Sequence, residues 1–255
     1  MIFASLHGEE VAVLTFIIVR NMNKLMVVSG GSKGIGKAII EKFAPQGFDI
    51  FTCARNEQDL QRLQREVESQ GGTRLYFEVA DLSHRHDVQR FAAAVLALNR
   101  PIDLLVNNTG YYEPGLITEE PDGVLESMLN TNLYSAYHLT RALVGRMKSA
   151  KAGHIFTMCS VASLFAYPNG GAYSISKFAL LGFSKVLREE LKPYGIRVTA
   201  VMAGATFTSS WEGTDLPPGR LMKAGDVADI IFGTYSLSEQ TVVEELIIRP
   251  QLGDI

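Results

Sequence analysis

Cysteine is scarce in this chain, and neither sign of charge is in large surplus. The 255 residues include two cysteines, Cys53 and Cys159, in separate apolar runs that read as strands. A disulfide framework is therefore not indicated, and a reducing, cytoplasmic setting is expected. A formal net charge of −3 with no basic stripe gives no footing for nucleic acid or an anionic membrane, which leaves small molecules as the expected partners. Long hydrophobic runs are missing as well. The stretch Val11 to Val19 is too short to cross a bilayer, and Glu9 and Glu10 precede it where a secretion signal would carry positive charge. No internal repeat or low-complexity segment occurs, and no metal site is expected.

What is present suits one large α/β domain, with 47% hydrophobic and 20% charged residues. Residues 1–21 read as an N-terminal extension foreign to the rest, with Met22 as the expected physiological start and 22–255 as the domain. Short β-branched runs alternate with segments of helical period, the pattern of repeated strand-helix units and a mostly parallel sheet. Strands are predicted over 25–28, 49–53, 74–79, 102–106, 154–159, 197–202 and 244–248. Helices are predicted over 36–44, 57–69, 85–98, 123–147, 173–191 and 224–237. The longest connection, 205–219, contains Trp211 and Pro217-Pro218 and is expected to cover a substrate.

After the first strand comes Ser29-Gly30-Gly31-Ser32-Lys33-Gly34-Ile35-Gly36. Glycines there allow a tight turn and let backbone amides approach a pyrophosphate at a helix N-terminus, so the segment reads as a dinucleotide loop. It also imitates a P-loop through Gly31 and Gly36-Lys37, but Ala38 stands where magnesium would need Ser or Thr. The second strand ends Cys53-Ala54-Arg55, without the carboxylate that favours NAD. Arg55 and Lys33 are the expected holders of a 2′-phosphate, which favours NADP(H).

Tyr173 and Lys177 stand four apart in Ala-Tyr-Ser-Ile-Ser-Lys, thirteen residues after Ser160. On a helix that spacing puts both on one face. A free phenol titrates near about 10, and a neighbouring ammonium favours phenolate, which makes the pair a candidate proton donor or acceptor. A single such pair is weak support. Its weight comes from the company it keeps.

The glycine loop, Asn107-Asn108-Thr109-Gly110, Asn132, Ser160 and Tyr173-x-x-x-Lys177 occur in an order that resembles the short-chain dehydrogenase/reductase family over residues 24–250. The resemblance implies a Rossmann-type, doubly wound sheet of seven parallel strands with helices on both faces. It implies that Tyr173 gives its proton to a carbonyl oxygen, that Lys177 assists it and holds the nicotinamide ribose, and that Ser160 polarises the carbonyl. Asn132 is implied to bend its helix and serve a proton route. Coenzyme contacts are implied for Gly30, Ser32, Lys33, Gly34, Ile35, Gly36, Arg55, Asp81, Leu82, Asn107, Gly204, Thr206 and Thr208. Two residues depart from the family pattern: Thr109 replaces the usual Ala, and Ala203 the usual Pro before Gly204. A homodimer or homotetramer through the two long helices is likewise implied.

Tyr111, Tyr112, Phe165, Tyr167, Phe207 and Trp211 fall in connections that follow strands, where ligands bind in such sheets. Tyr112, Tyr167 and Trp211, with Ser160, are the substrate candidates, suiting a flat or apolar ketone. Within the family, Gly204-Ala-Thr-Phe-Thr208, Trp211 and the tail from Thr241 to Pro250 resemble the bacterial sepiapterin reductases. That branch implies reduction of a pteridine side-chain ketone. Two other readings stay open: a 3-oxoacyl-(acyl-carrier-protein) reductase, and a dinucleotide-sensing module without turnover.

Overall fold

The computed structural model describes residues 23–208, 211, 215–217 and 219–253. The N-terminal extension and the expectation for Met22 lie outside them, as does much of the 205–219 connection. Seven strands run β1 Lys24–Ser29, β2 Phe48–Ala54, β3 Leu75–Val79, β4 Leu104–Asn107, β5 Gly153–Ser160, β6 Ile196–Ala203 and β7 Glu245–Ile248. They form one sheet in the order β3-β2-β1-β4-β5-β6-β7, with every neighbouring pair parallel. The order reverses between β1 and β4, and ligands in open α/β sheets bind at such a crevice, beyond the carboxyl ends of the strands.

The helices are α1 Gly34–Phe43, α2 Glu57–Glu68, α3 Arg85–Ala97, α4 Val124–Met128, α5 Ser135–Ala150, α6 Gly171–Leu191 and α7 Ala224–Tyr235. Strand alternation divides the core in two. Leu25, Val27, Leu105, Ile155 and Val198 turn to one face and pack on Phe91 of α3, Leu139 and Leu143 of α5, and Leu187 and Leu191 of α6. Met26, Val28, Leu104, Val106, Phe156 and Val201 turn to the other, against Ile39, Ile40 and Phe43 of α1, Leu63 of α2, and Val227 and Ile231 of α7. Both faces are covered, which is why the central strands read as unbroken apolar runs.

Two predicted helices differ instructively. The segment 123–147 is not one regular helix: between α4 and α5, residues Leu129–Tyr134 form a π-helical turn around the fully buried Asn132. And α6 begins at Gly171, two residues before Tyr173. Its first turn is closed by Glu120, whose Oε1 accepts from the Ala172 amide at 2.9 Å. No helix among the described residues is long and apolar enough to cross a membrane.

Candidate active site

The carboxyl ends of β1, β2, β4, β5 and β6 open into one cleft of about 1280 Å³. Its floor at one end is the glycine loop. Gly30 takes φ +68°, and a Cβ on Gly36 would collide with the Gly30 carbonyl oxygen and with Asn108. Glycine is thus needed for the first turn of α1 to lie against the loop, leaving the amides at that helix start turned to the cleft. The loop is fastened to β4. Ser29 Oγ accepts from the amides of Asn108 and Thr109 at 2.9 and 3.0 Å, and Asn108 Nδ2 donates to the carbonyls of Ser29 and Gly30. The Thr109 hydroxyl, at one of the two departures from the family pattern, is buried beside Gly30 without a hydrogen-bond partner among the described residues.

Lys33, Arg55, Asn56, Asp59, Asp81 and Leu82 form the polar end of the cleft. Lys33 Nζ lies 2.9 Å from Asp59 Oδ2. Asp81 Oδ1 accepts from both the amide and the hydroxyl of Ser83, at 3.0 and 2.7 Å. Burial opposes charge on Asp81, but the Ser83 bonds and the nearby Arg55 guanidinium outweigh it and hold the carboxyl below its usual value.

At the other end stand Ser160, Tyr173 and Lys177, carried by β5 and α6. Ser160 Oγ accepts from the Ala162 amide at 3.1 Å, a bond that occupies a lone pair and leaves the hydroxyl proton to be donated. Lys177 is buried, its Nζ 2.9 Å from the Met158 carbonyl oxygen and 5.6 Å from the centre of the Tyr173 ring. Tyr112 meets Tyr173 edge to face, with centroids 4.9 Å apart. Cys159 also lines the cleft, but burial pushes its thiol up to about 12, which removes it as a nucleophile near neutrality.

The cleft brings together Gly30, Ser32, Lys33, Gly34, Ile35, Arg55, Asp81, Leu82, Ser160, Tyr173, Lys177, Gly204, Thr206 and Thr208, together with Tyr112, Tyr167 and Trp211. Three predicted residues stand behind its wall. Gly36 supports the loop from below. Asn132 is fully buried: Oδ1 accepts from the Tyr111 amide, and Nδ2 donates to the Tyr111 carbonyl and to Ser176 Oγ. Asn107, an implied coenzyme contact, is not among the residues that line the cleft. Its Nδ2 donates to Thr140 Oγ1 of α5 at 2.9 Å, because strand alternation sends it to the same face as Leu105. Its neighbour Asn108 faces the cleft instead. Phe207, expected among the aromatic lining, is 58% exposed and outside the wall.

Arg249, which the sequence did not single out, lines the cleft with its guanidinium 5.9 Å from the Phe165 ring centre. It follows β7 directly, and the rule that sites gather at strand carboxyl ends would have found it. Among the described residues no group of three or more His, Cys, Asp or Glu is placed to hold a metal. The fit to a dinucleotide is good: a glycine cradle at a helix start, cations at one end and the Tyr173–Lys177 pair at the other.

Comparison with known proteins agrees with this geometry. The short chain dehydrogenase family profile matches residues 24–216. The chain is 31% identical over 242 residues to the sepiapterin reductase of Chlorobaculum tepidum, covering 92% of this chain and 99% of that one. It is 32% identical over 183 residues to a 3-oxoacyl-(acyl-carrier-protein) reductase of Chlamydia trachomatis, covering 72% and 74%. A metagenomic short-chain oxidoreductase solved in complex with NADP superposes with a TM-score of 0.79 at 30% identity, over 90% of this chain and 98% of that one.

Proposed function

The chain belongs to the short-chain dehydrogenase family, and from that premise we propose that it is an NADPH-dependent carbonyl reductase whose substrate is a flat ketone of the sepiapterin type. The observation that carries the reading is the placing of Ser160, Tyr173 and Lys177 at one end of a cleft whose other end presents Lys33 and Arg55.

The coenzyme, when bound, supplies the hydride. The chain's own residues orient the carbonyl and move one proton. Lys33 and Arg55 hold a 2′-phosphate through charge-assisted bonds, and the amides that start α1 hold the pyrophosphate. Ser160 donates its hydroxyl proton in a hydrogen bond to the carbonyl oxygen. Tyr173 then delivers its own proton to that oxygen as negative charge develops there. Lys177 stabilises the phenolate left behind. Its ammonium keeps donors beyond the one given to Met158, and the space left by the missing side chain of Gly110 borders both it and Asn132: a Cβ there would fall 3.4 Å from Lys177 Nζ and 3.1 Å from Asn132 Oδ1. Asn132 fixes the Tyr111 backbone beside that gap, which serves as the route for reprotonation.

Tyr111, Tyr112, Phe165, Tyr167 and Trp211 surround the place of the substrate with rings suited to a planar heterocycle. The similarity to a sepiapterin reductase over nearly the whole chain supports a pteridine ketone. The acyl-carrier-protein reading has a relative of 32% identity, against 31%, but of shorter coverage, and this near-neutral chain offers no basic surplus for an acidic carrier. Assembly as a homodimer or homotetramer is supported by Ile175, Phe178 and Val186, exposed on α6 at helical spacing around Gly182, and by the exposed Tyr134 and Tyr137, before and on α5, the second of which meets Phe183 of α6 with ring centres 5.8 Å apart.

NADPH oxidation measured with sepiapterin, diketones and acetoacetyl thioesters tests the reading. Turnover is expected with sepiapterin, and Tyr173→Phe is expected to lower kcat by about a hundredfold or more. A mutant as active as wild type would overturn the mechanism. Preference for the thioester would favour the carrier-protein reading, and no turnover anywhere would favour a sensing module.

A further inference from the structure

The phosphate-binding end of the cleft also contains a carboxylate. Asp59, the third residue of α2, pairs with Lys33 at 2.9 Å through Oδ2 and with Arg62 at 2.5 Å through Oδ1. It is held in place: the Asn56 side chain accepts from the Asp59 amide at 2.9 Å, and the carboxyl is only 11% exposed. Lys33, by contrast, is 59% exposed, so the pair is one fixed anion and one movable cation. The cation nearest the glycine loop is therefore already engaged. Two charges of each sign line this end of the cleft: Lys33 and Arg55 against Asp59 and Asp81. Asp81 spends one carboxylate oxygen on Ser83 and lies within the field of Arg55. Among the described residues the Asp59 carboxylate meets only its two cations, Lys33 and Arg62.

We propose that Asp59 sets coenzyme specificity by competing with the 2′-phosphate for Lys33, and so flattens the discrimination between phosphorylated and unphosphorylated adenosine ribose. This goes beyond the assignment of Lys33 and Arg55 as phosphate holders, on which it rests. A phosphate arriving at Lys33 must share or displace the carboxylate, whereas a ribose hydroxyl leaves the pair intact. The cost falls on one ligand alone, and specificity is a difference of affinities. An exposed lysine in an ion pair is held weakly enough to turn away, so the carboxylate attenuates NADPH binding without blocking it. An ion pair serving only to steady α2 would instead act on both ligands alike.

Calorimetric titration of the full chain at low salt with adenosine 2′,5′-bisphosphate and with adenosine 5′-monophosphate separates these cases. Asp59→Asn is expected to tighten the bisphosphate about tenfold and to leave the monophosphate within about twofold. In a Lys33→Gln background the same change should gain less than about threefold, because the contested cation is gone. Asp59→Ser carries the same expectation and stands in if the asparagine variant loses its fold. The proposal is overturned if the bisphosphate binds no tighter, if both ligands tighten equally, or if the gain survives undiminished without Lys33. Failure of wild type to bind the bisphosphate would remove the coenzyme assignment itself, and the proposal with it.

Discussion

Lys177 Nζ donates to the carbonyl oxygen of Met158 at 2.9 Å, tying the helix that carries Tyr173 to the strand that ends in Ser160. The sequence spacing puts the lysine one turn from the tyrosine, but it is this bond to β5 that decides where along the phenol the charge sits. The ammonium is thereby an anchor and, in the mechanism proposed above, the electrostatic partner of Tyr173.

Those two roles separate by substitution. Lys177→Met removes charge and anchor and is expected to lower kcat by about 10²-fold or more. Lys177→Arg keeps the charge but replaces a compact ammonium by a planar fork that cannot repeat the same bond in a buried site, so a smaller loss of about tenfold is expected. Initial rates across pH check this. Equal losses in the two variants would show that the position of the charge, and not its presence, dominates.

His154 gives a prediction about stability rather than turnover. It is fully buried in β5, stacked on Phe156 at 4.1 Å, with Nε2 2.8 Å from Thr199 Oγ1 and Nδ1 unpartnered among the described residues. Burial, helped by the Arg197 charge, lowers its pKa to about 3. The unfolded imidazole takes a proton near about 6.5, so stability is complete above that pH and falls as pH drops toward 3, by up to about 1.4 kcal/mol per pH unit from this group. Urea unfolding at pH 7, 6 and 5 should show that extra slope in wild type and its loss in His154→Asn. Parallel curves would refute it.

The fold was legible because its signals are local and repeated. β1 to β7 were each placed within two residues: the central strands, covered on both faces, read as apolar runs, and the partly buried edge strands β3 and β7 are short runs rich in apolar residues. The glycine loop, Ser160, Tyr173 and Lys177 were legible because each is tied to a spacing. The residues missed or misplaced depend on which way a side chain turns or on pairs distant in sequence. Asn107 and Asn108 are adjacent, and only strand parity tells them apart. Asp59 meets Lys33 across 26 positions, and Glu120 meets Ala172 across 52. No periodicity encodes such contacts.

That last contact carries the final prediction. Both Glu120 oxygens accept from the Ala172 amide, at 2.9 and 3.3 Å, where the N-terminus of α6 favours negative charge. Gly171, at φ +33°, leaves room for the carboxylate, which a Cβ there would strike. Glu120 thereby fastens the connection after β4 to the first turn of the helix bearing Tyr173, while Asn132 grips the start of the same connection at Tyr111. Tyr112, edge-on to Tyr173, lies between these two fastenings. Glu120→Ala should release one of them, raising KM for the carbonyl about tenfold and lowering kcat several-fold, at a stability cost of about 1 kcal/mol. Lys33, Arg55 and the glycine loop lie on elements Glu120 does not touch, so the Kd for NADP should stay within about twofold. Glu120→Gln keeps an acceptor for the Ala172 amide and should recover most of the loss. If the alanine variant lowers stability while KM and kcat hold, Glu120 is only a helix cap. If instead the glutamine variant fails as badly as alanine, the charge itself is what positions Tyr173.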